Sequence, residues 1–381
     1  MIYFDNAATG GKKPPSVVSA ACAAIRGACA NPGRSGHKLS VALASNVLNC
    51  RRLLSDFFGA PSFERVILTK NCTEALNIAL FGLANSFSDE HIPHIVTTEA
   101  EHNSVLRPLF ALERSKKISL TVAKLNDRKE ISPENIAAAV REDTAAVAVT
   151  LASNVTGTAA DLAKIRKLIP ERVLLICDGA QACGHVPLHM KNQGIDALAA
   201  AGHKGMHGIQ GSGFLLLSDR FDPAPFLYGG TGSESMNPDM PDFYPDRLEG
   251  GTLSYPAAVS LFEGALYLKR TMDENAKYLK DLTAKLISGL SSIEGITAYS
   301  RPNPYGIVAF SSDKMQSEFF AQELSDDYDI AVRGGLHCAP LMHRALGTAE
   351  GGLVRASLSE FNTPHEVEKF LDAAKKIQSF S

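Results

Sequence analysis

Short apolar runs alternate with helical patterns over the first two thirds of the chain, and this alternation limits the folds that it can adopt. The runs predict β-strands near residues 66–69, 94–97, 120–122, 146–150, 173–177, 197–201 and 214–217. The segments between them have the spacing of amphipathic helices. Strands that alternate with helices form a mostly parallel sheet covered on both faces. The sequence therefore predicts an α/β fold, in which ligands bind beyond the carboxyl ends of the strands.

The alternation stops near residue 221, where a loop region rich in glycine, proline and aromatic residues begins. Beyond it, a helical pattern runs from Pro256 to about Leu290, followed by short strands and further helices. The last helix opens with Thr363-Pro364-His365-Glu366, which has the spacing of a capping box. We expect a large α/β domain over residues 15–250 and a smaller α+β domain made of residues 1–14 and 251–381.

Composition argues against several classes of protein. The chain has 381 residues, of which 45% are hydrophobic and 21% charged, as in an ordinary globular protein. Its formal net charge of -3 gives no reason to expect a nucleic acid or an anionic membrane as a partner. It contains neither a membrane-spanning apolar run nor a basic signal-peptide start. The seven cysteines lack a CxxC pair, so we expect a cytoplasmic protein with reduced thiols and no bound metal.

Lys204 follows the predicted strand at residues 197–201, directly after Gly202 and His203. Burial lowers the pKa of a lysine because it penalises the ammonium form, and the neutral amine is the form that attacks an aldehyde to make a Schiff base. The preceding strand ends at Asp178, the type of residue that pairs with the pyridinium nitrogen of pyridoxal 5'-phosphate (PLP). A His-Lys pair alone is more often found on the surface. An aspartate and a lysine that end consecutive strand units favour a PLP enzyme.

Four other polar residues lie near strand ends, and each has a simpler interpretation. Thr73 stands at a helix start, where it could bind a phosphate ester or be a plain N-cap. His102 could stack on a planar cofactor or be a surface residue. Asn154 could bond a phenolic oxygen or a carboxylate, and Gln181 a phenolic oxygen. Their simpler interpretations are a turn asparagine and a helix-surface glutamine.

Two residues in the C-terminal third also suggest chemistry. Cys338 follows a glycine-rich loop, and the adjacent His337 could favour its thiolate. A small buried hydrophobic cysteine is an equally good interpretation. Arg355 lies inside an apolar strand, and a buried guanidinium needs an anion. That anion is either a ligand carboxylate or an internal ion-pair partner.

Taken together, these stretches resemble the cysteine desulfurase and selenocysteine lyase family, which belongs to the class V aminotransferase group of fold-type I PLP enzymes. The resemblance covers essentially the whole chain, and the short loop before Cys338 is similar to that of the SufS-type group. The matching motifs, in family order, are Asp5-Asn6-Ala7-Ala8-Thr9, Thr73-Glu74-Ala75, Glu101-His102, Ser153-Asn154-x-x-Gly157, Asp178-Gly179-Ala180-Gln181, Gly202-His203-Lys204, Glu249-x-Gly251-Thr252, Arg333-x-Gly335-x-x-Cys338-Ala339 and Arg355-Ala356-Ser357-Leu358.

The resemblance implies a role for each candidate residue. The catalytic residues would be Lys204, Cys338 and His102, with Lys204 forming the Schiff base and Cys338 accepting sulfur. The cofactor-binding residues would be Thr73, His102, Asn154, Asp178, Gln181, His203, Lys204 and Thr252. The substrate carboxylate would bind Asn154 and Arg355. Thr252 would reach the phosphate in a partner subunit, which implies a homodimer with shared sites.

The implied activity is the PLP-dependent conversion of L-cysteine to L-alanine, with a persulfide on Cys338 that passes to a sulfur-acceptor protein. Two alternatives on the same fold are a lyase acting on L-selenocysteine and an aminotransferase of a small amino acid. A non-catalytic sulfur carrier or scaffold is a third. A hydrolase that uses Cys338 and His337 is a poor fourth, because adjacent residues on a strand point to opposite faces.

Overall fold

The computed structural model describes residues 1–27, 30–88 and 90–380. The strands are β1 (Ile2–Tyr3), β2 (Val66–Thr69), β3 (His94–Thr98), β4 (Ser119–Ala123), β5 (Thr144–Thr150), β6 (Leu174–Asp178), β7 (Ala197–Ala201), β8 (Gly213–Leu217), β9 (Ile296–Ala298), β10 (Ile307–Ser312), β11 (Ile330–Ala331) and β12 (Val354–Ser357). The helices are α1 (Pro15–Gly27), α2 (Lys38–Phe58), α3 (Cys72–Asn85), α4 (Asn103–Arg114), α5 (Pro133–Ala139), α6 (Leu162–Leu168), α7 (Met190–Gln193), α8 (Tyr255–Ser291), α9 (Ser317–Tyr328), α10 (Pro340–Leu346) and α11 (Pro364–Phe380).

The central sheet has seven strands in the order β2-β8-β7-β6-β5-β3-β4. Strand β8 is antiparallel to both of its neighbours, whereas β4, β3, β5, β6 and β7 pair in parallel. The predicted α/β fold with a mostly parallel sheet is therefore confirmed. The β6–β7 register aligns Asp178 with Ala199, so the polar residues that follow these two strands emerge at the same edge of the sheet.

Both faces of the sheet are buried, and β7 shows how one short sequence serves both. Ala197, Ala199 and Ala201 point into one hydrophobic cluster, which includes residues of α3 and α4. Leu198 and Ala200 point into the other, which includes residues of α2, α5, α6 and α8. Because successive side chains alternate across a strand, an all-apolar run is what this doubly covered position requires.

A third hydrophobic cluster lies among α9, α11 and the antiparallel sheet β12-β10-β9. Helix α8 joins two clusters, since Leu261 and Leu268 lie in the cluster of α2 and Leu282 and Leu290 lie in this one. Phe4 also packs here, next to β1, which pairs in parallel with β11. The division into residues 15–250 and the remainder stays a prediction.

Local signals located most of the helices. The capping box is present, since Thr363 N–H donates to Glu366 Oε2 and Glu366 N–H to Thr363 Oγ1. Helix α7 was not predicted, because four residues are too few to display an apolar period. Helix α10 was not predicted either. None of the helices in the described ranges has the length and apolar character needed to span a bilayer.

Candidate active site

A cavity of about 230 Å³ lies beyond the carboxyl ends of β5, β6 and β7. Eight of the ten candidate residues from the sequence line it. They are Thr73, His102, Asn154, Asp178, Gln181, His203, Lys204 and Arg355. The remaining two are Cys338, which lies in the turn beside the cavity, and Thr252, which is exposed and lines a different depression together with Lys70 and Glu74.

Lys204 carries an amine without a partner. Strand β7 ends at Ala201, and at the next residue, Gly202, an added Cβ would lie 2.2 Å from Ser212 Oγ, so the chain can turn here only without a side chain. In the described part of the chain, Lys204 Nζ makes no hydrogen bond or ion pair. Burial lowers the pKa of Lys204, and the Asp178 carboxylate opposes this shift without cancelling it. The amine is thus free to react and easier to deprotonate than an exposed lysine.

Asp178 ends β6 and is buried. Its Oδ1 accepts hydrogen bonds from the Ala180 N–H at 2.9 Å and from the Cys72 thiol at 3.4 Å. Its Oδ2 accepts none from the described residues. One oxygen of the carboxylate is therefore fixed by the protein, and the other is available to a cationic or N–H group in the cavity.

The N-terminus of α3 forms another wall of the cavity. Its cap is Asn71, whose Oδ1 accepts from the Glu74 N–H at 2.9 Å. Thr73 is therefore not the N-cap; its hydroxyl lies 2.8 Å from Ser104 Oγ. Across the cavity, His203 Nδ1 lies 3.1 Å from Thr9 Oγ1. Hydroxyls and backbone N–H groups at a helix start make this wall suited to a phosphate group.

His102 is half-buried rather than a surface residue, and it caps α4 through its ring. Its Nδ1 accepts a hydrogen bond from the Ser104 N–H at 3.0 Å, so the proton of the neutral ring is on Nε2. Burial lowers the pKa of His102 to about 4. The ring is therefore uncharged near neutral pH, and it presents an aromatic surface to the cavity.

Arg355 and Asn154 form a pair that is incompletely satisfied. Arg355 is 1% exposed, and it donates through Nη1 to Asn154 O at 2.9 Å and through Nη2 to Asp5 Oδ1 at 3.0 Å. Asn154 Nδ2 donates to His337 O at 2.7 Å. Arg355 Nε and Asn154 Oδ1 are both buried and have no hydrogen-bond partner among the residues that the structure describes. An unmade buried hydrogen bond costs about 1–3 kcal/mol, and both residues line the cavity, so a polar ligand bound there can satisfy this pair.

Cys338 lies in a turn in which both it and His337 have positive φ angles, 60° and 49°. The sequence argument that placed them on a strand is therefore wrong. The proposed help from His337 is wrong as well: its Nε2 contacts Leu353 O at 2.9 Å, and burial holds its pKa far below the usual range. The cation beside Cys338 is Arg333, whose Nη2 lies 3.8 Å from Sγ.

Arg333 is thus a residue that the sequence analysis quoted in a motif but did not select as a site residue. Gln181 was selected, and its simpler interpretation as a surface residue is wrong because it is buried. Its Nε2 donates to Ala7 O at 3.0 Å, which orients the amide at the edge of the cavity. No local signal predicts the contact of Arg333 with Cys338 or that of Gln181 with Ala7. Only the order of the motifs along the chain could have pointed to them.

The family model for class-V aminotransferases matches residues 2–370 of the chain. The chain belongs to the class-V aminotransferase family. A probable cysteine desulfurase of Methanothermobacter thermautotrophicus is 32% identical over 385 residues, covering 99% of this chain and 94% of the relative. A cysteine desulfurase of Escherichia coli is 28% identical over 388 residues, covering 99% and 93%. A solved cysteine desulfurase from Thermococcus onnurineus has a TM-score of 0.89 at 30% identity, covering 100% of this chain and 95% of that one.

Class-V aminotransferases of this kind use PLP, and PLP is the cofactor of this chain. The cavity offers the groups that such a cofactor needs: an unpaired amine on Lys204, a free carboxylate oxygen on Asp178, and a helix start with hydroxyls. Among the described residues, the unpartnered Nε of Arg355 adds a donor for a carboxylate, and the unpartnered Oδ1 of Asn154 adds an acceptor for an N–H or O–H group. The residues present therefore fit PLP together with an amino acid.

Proposed function

We propose that this protein is a cysteine desulfurase, which converts L-cysteine to L-alanine and keeps the sulfur as a persulfide on Cys338. One observation carries the proposal: an unpaired amine on Lys204 and a buried, incompletely bonded guanidinium on Arg355 face the same cavity. That combination suits an α-amino acid, whose amino group and carboxylate need these two partners. Cys338 at the adjacent turn supplies the thiol that distinguishes a desulfurase from an aminotransferase.

In this proposal, the walls of the cavity would hold PLP. Lys204 would hold its aldehyde end through Nζ, and Asp178 Oδ2 would pair with its ring nitrogen. His102 would stack on the ring, and Gln181 would bond the ring oxygen. Thr73 and His203 would hold the phosphate, with the backbone N–H groups of α3. Bound PLP supplies an electron-accepting ring that stabilises the negative charge developing at the substrate Cα.

The substrate carboxylate binds Arg355, whose Nε is the free donor. Asn154 is held in one orientation by its bond to His337 O. Its second Nδ2 hydrogen can donate to the same carboxylate, and its Oδ1 can accept from a hydroxyl or N–H group. Asn154 therefore touches both the substrate and the cofactor. Once the substrate amino group has displaced Lys204, the lowered pKa of its amine would suit it to remove the Cα proton and to return a proton to the product.

Cys338 takes the sulfur as a nucleophile. Its thiolate attacks the substrate sulfur, an S–S bond forms, and the substrate Cβ–S bond breaks. A proton then completes the methyl group of alanine, and a later thiol releases the sulfur from the Cys338 persulfide. The Arg333 guanidinium, 3.8 Å from Sγ, stabilises negative charge on the attacking sulfur.

Product analysis tests this activity. We expect L-cysteine to yield alanine and, with a reductant, sulfide in equal amounts. Mass spectrometry after one turnover should show an added sulfur on Cys338 and none on Cys22, an exposed free cysteine that serves as the internal control. Selenide from L-selenocysteine without need of Cys338 would favour the lyase alternative. Transfer of the amino group to a 2-oxo acid would favour the aminotransferase alternative.

The proposal includes a homodimer with shared sites in the cytoplasm, two domains with the predicted boundaries, and a sulfur-acceptor protein. Exposed Phe226, Leu227 and Tyr228 lie in the segment before Thr252, and they support a covered surface near that residue. Light scattering should give twice the chain mass. If the sites are shared, a mixture of Lys204→Ala and Thr252→Ala chains should form mixed dimers that retain one intact site; activity no higher than that of the separate variants would contradict sharing.

A further inference from the structure

The cavity is lined by a thiol that the proposed reaction does not use. Cys72 is the first residue of α3 and is 7% exposed. It lines the same cavity as Lys204. Its thiol donates to Asp178 Oδ1 across 3.4 Å, a normal length for a hydrogen bond that involves sulfur. Burial, reinforced by the Asp178 carboxylate, raises the pKa of Cys72 well above its usual value, so this thiol keeps its proton.

The proton of the Cys72 thiol helps to orient the Asp178 carboxylate. Asp178 Oδ1 accepts from both Cys72 and the Ala180 N–H, and these two donors come from different segments of the chain. A carboxylate bonded through one oxygen by one donor can rotate about its Cβ–Cγ bond. Two donors on the same oxygen restrict that rotation, and they leave Oδ2 directed away from them.

We propose that Cys72 is a positioning residue for the cofactor: its thiol holds Asp178 Oδ1 so that Oδ2 meets the ring nitrogen of PLP. This inference rests on the proposed role of Asp178. The pyridine ring then meets an oriented anion and retains its own proton.

The same contacts separate the roles of the two thiols near the site. Cys72 faces a carboxylate, which disfavours a thiolate, whereas Cys338 faces the guanidinium of Arg333. A thiolate is the nucleophile in sulfur transfer. Sulfur therefore goes to Cys338, although Cys72 lines the cofactor cavity itself.

The test compares donors at residue 72. Cys72→Ser keeps an O–H donor, whereas Cys72→Val and Cys72→Ala remove the donor, one with similar bulk and one with less. Cys183→Ala is the matched control, because Cys183 is a free thiol that is 1% exposed and makes no bond to Asp178. Each apoprotein is titrated with PLP carrying ¹⁵N in its ring. The dissociation constant and the ¹⁵N resonance, which reports protonation of the ring nitrogen, are measured together.

We expect Cys72→Val and Cys72→Ala to weaken PLP binding about two- to fivefold, as for the loss of one weak hydrogen bond. Both should move the ¹⁵N resonance toward the unprotonated position. Cys72→Ser and Cys183→Ala should keep the parent resonance. An equal change in Cys72→Ser would overturn the inference, because the donor would not be the cause.

Asp178→Asn tests the proposed role of Asp178 separately from that of Cys72. If this variant moves the ¹⁵N resonance while Cys72→Val and Cys72→Ala do not, the role of Cys72 is rejected and that of Asp178 stands. If Asp178→Asn leaves the resonance unchanged, the proposed ring-nitrogen partner is wrong, and the inference about Cys72 fails with it. Should Cys72→Val not fold, Cys72→Ala alone decides.

Discussion

Asp5 Oδ1 lies 3.0 Å from Arg355 Nη2, so a residue at the start of the chain holds the guanidinium proposed to bind the substrate. Arg355 is buried, and burial lowers its pKa while the Asp5 carboxylate opposes that shift. Asp5 thus has two effects. It compensates a buried charge when no substrate is present. It also holds Nη2 of the guanidinium, so that Nε points away from Asp5.

Replacing Asp5 by alanine should destabilise the protein. The change leaves a buried guanidinium with its counter-charge removed, which costs about 3–5 kcal/mol for a fully buried pair. The Asp5 side chain is 23% exposed, so we expect a loss of about 1–3 kcal/mol in the free energy of unfolding. Denaturant unfolding measures it. Asp5→Asn, which keeps a polar oxygen near Arg355, should lose less; equal losses would show that charge is not the reason.

Arg355→Lys should weaken substrate binding while leaving the cofactor in place. A lysine keeps the positive charge but not the planar guanidinium, which can donate two parallel hydrogen bonds to a carboxylate. Each hydrogen bond to a charged group contributes about 1.5–3 kcal/mol. We therefore expect KM for L-cysteine to rise about tenfold or more, with unchanged visible absorbance of bound PLP. Arg52→Lys, at an arginine that lies over the Phe63 ring instead, is the control. A normal KM in Arg355→Lys would remove Arg355 from the substrate site.

Two substitutions should separate cofactor attachment from sulfur transfer. Lys204→Ala should lose both turnover and the visible absorbance that arises when the amine holds PLP. Cys338→Ala should keep that absorbance and lose alanine and sulfide production from L-cysteine. Absorbance spectra and product analysis of the two variants, side by side, measure this. Full turnover by Cys338→Ala would reject the nucleophile role, and an unaltered spectrum for Lys204→Ala would reject the attachment.

Glu101 should make the protein less stable at alkaline pH. Burial raises its pKa to about 8 from an ordinary 4.5, with the bonds from Thr98 and Thr150 opposing. The folded state therefore holds a proton that the unfolded state has lost. The resulting stability is fully present below about pH 4.5 and is lost as pH rises through 8. Relative to the parent, Glu101→Gln should gain Tm progressively between pH 5 and 8. A Tm difference independent of pH would contradict the shifted carboxyl.

Three half-buried imidazoles should determine how the stability of the protein falls at acid pH. Burial lowers the pKa of His102, His185 and His203 to about 4 from 6.5. Their folded forms resist protonation that the unfolded chain accepts, so stability present above pH 6.5 is lost as pH falls toward 4. Scanning Tm from pH 7 to 4 should show this loss. His185→Phe should reduce its slope, whereas substitution of the exposed His365 should not.

Sequence reasoning located the sheet, its ligand-binding edge and most of the residues around the cavity, because strand ends and polar residues are both local signals. It could not resolve the partners of those residues. No sequence signal near Cys338 predicts that Arg333 lies beside it or that His337 Nε2 contacts Leu353 O. Those contacts depend on a turn with two positive φ angles in non-glycine residues, a conformation that residue type does not predict.

The same limit explains why Thr73 was weighed as a cap although Asn71 provides it. Either residue type can cap a helix, and the choice depends on the backbone angle at which the chain leaves β2. The contact between Cys72 and Asp178 joins residues 106 positions apart, and no sequence pattern in either segment predicts it.

The pairing of β1 with β11 has a consequence for biosynthesis. Ile2 and Tyr3 are synthesised long before their strand partners Ile330 and Ala331, and Asp5 long before the guanidinium of Arg355. A nascent chain can assemble the central sheet early, yet it lacks the guanidinium proposed to bind the substrate carboxylate until residue 355 has been synthesised. Premature termination before that point should therefore release a product unable to act on cysteine.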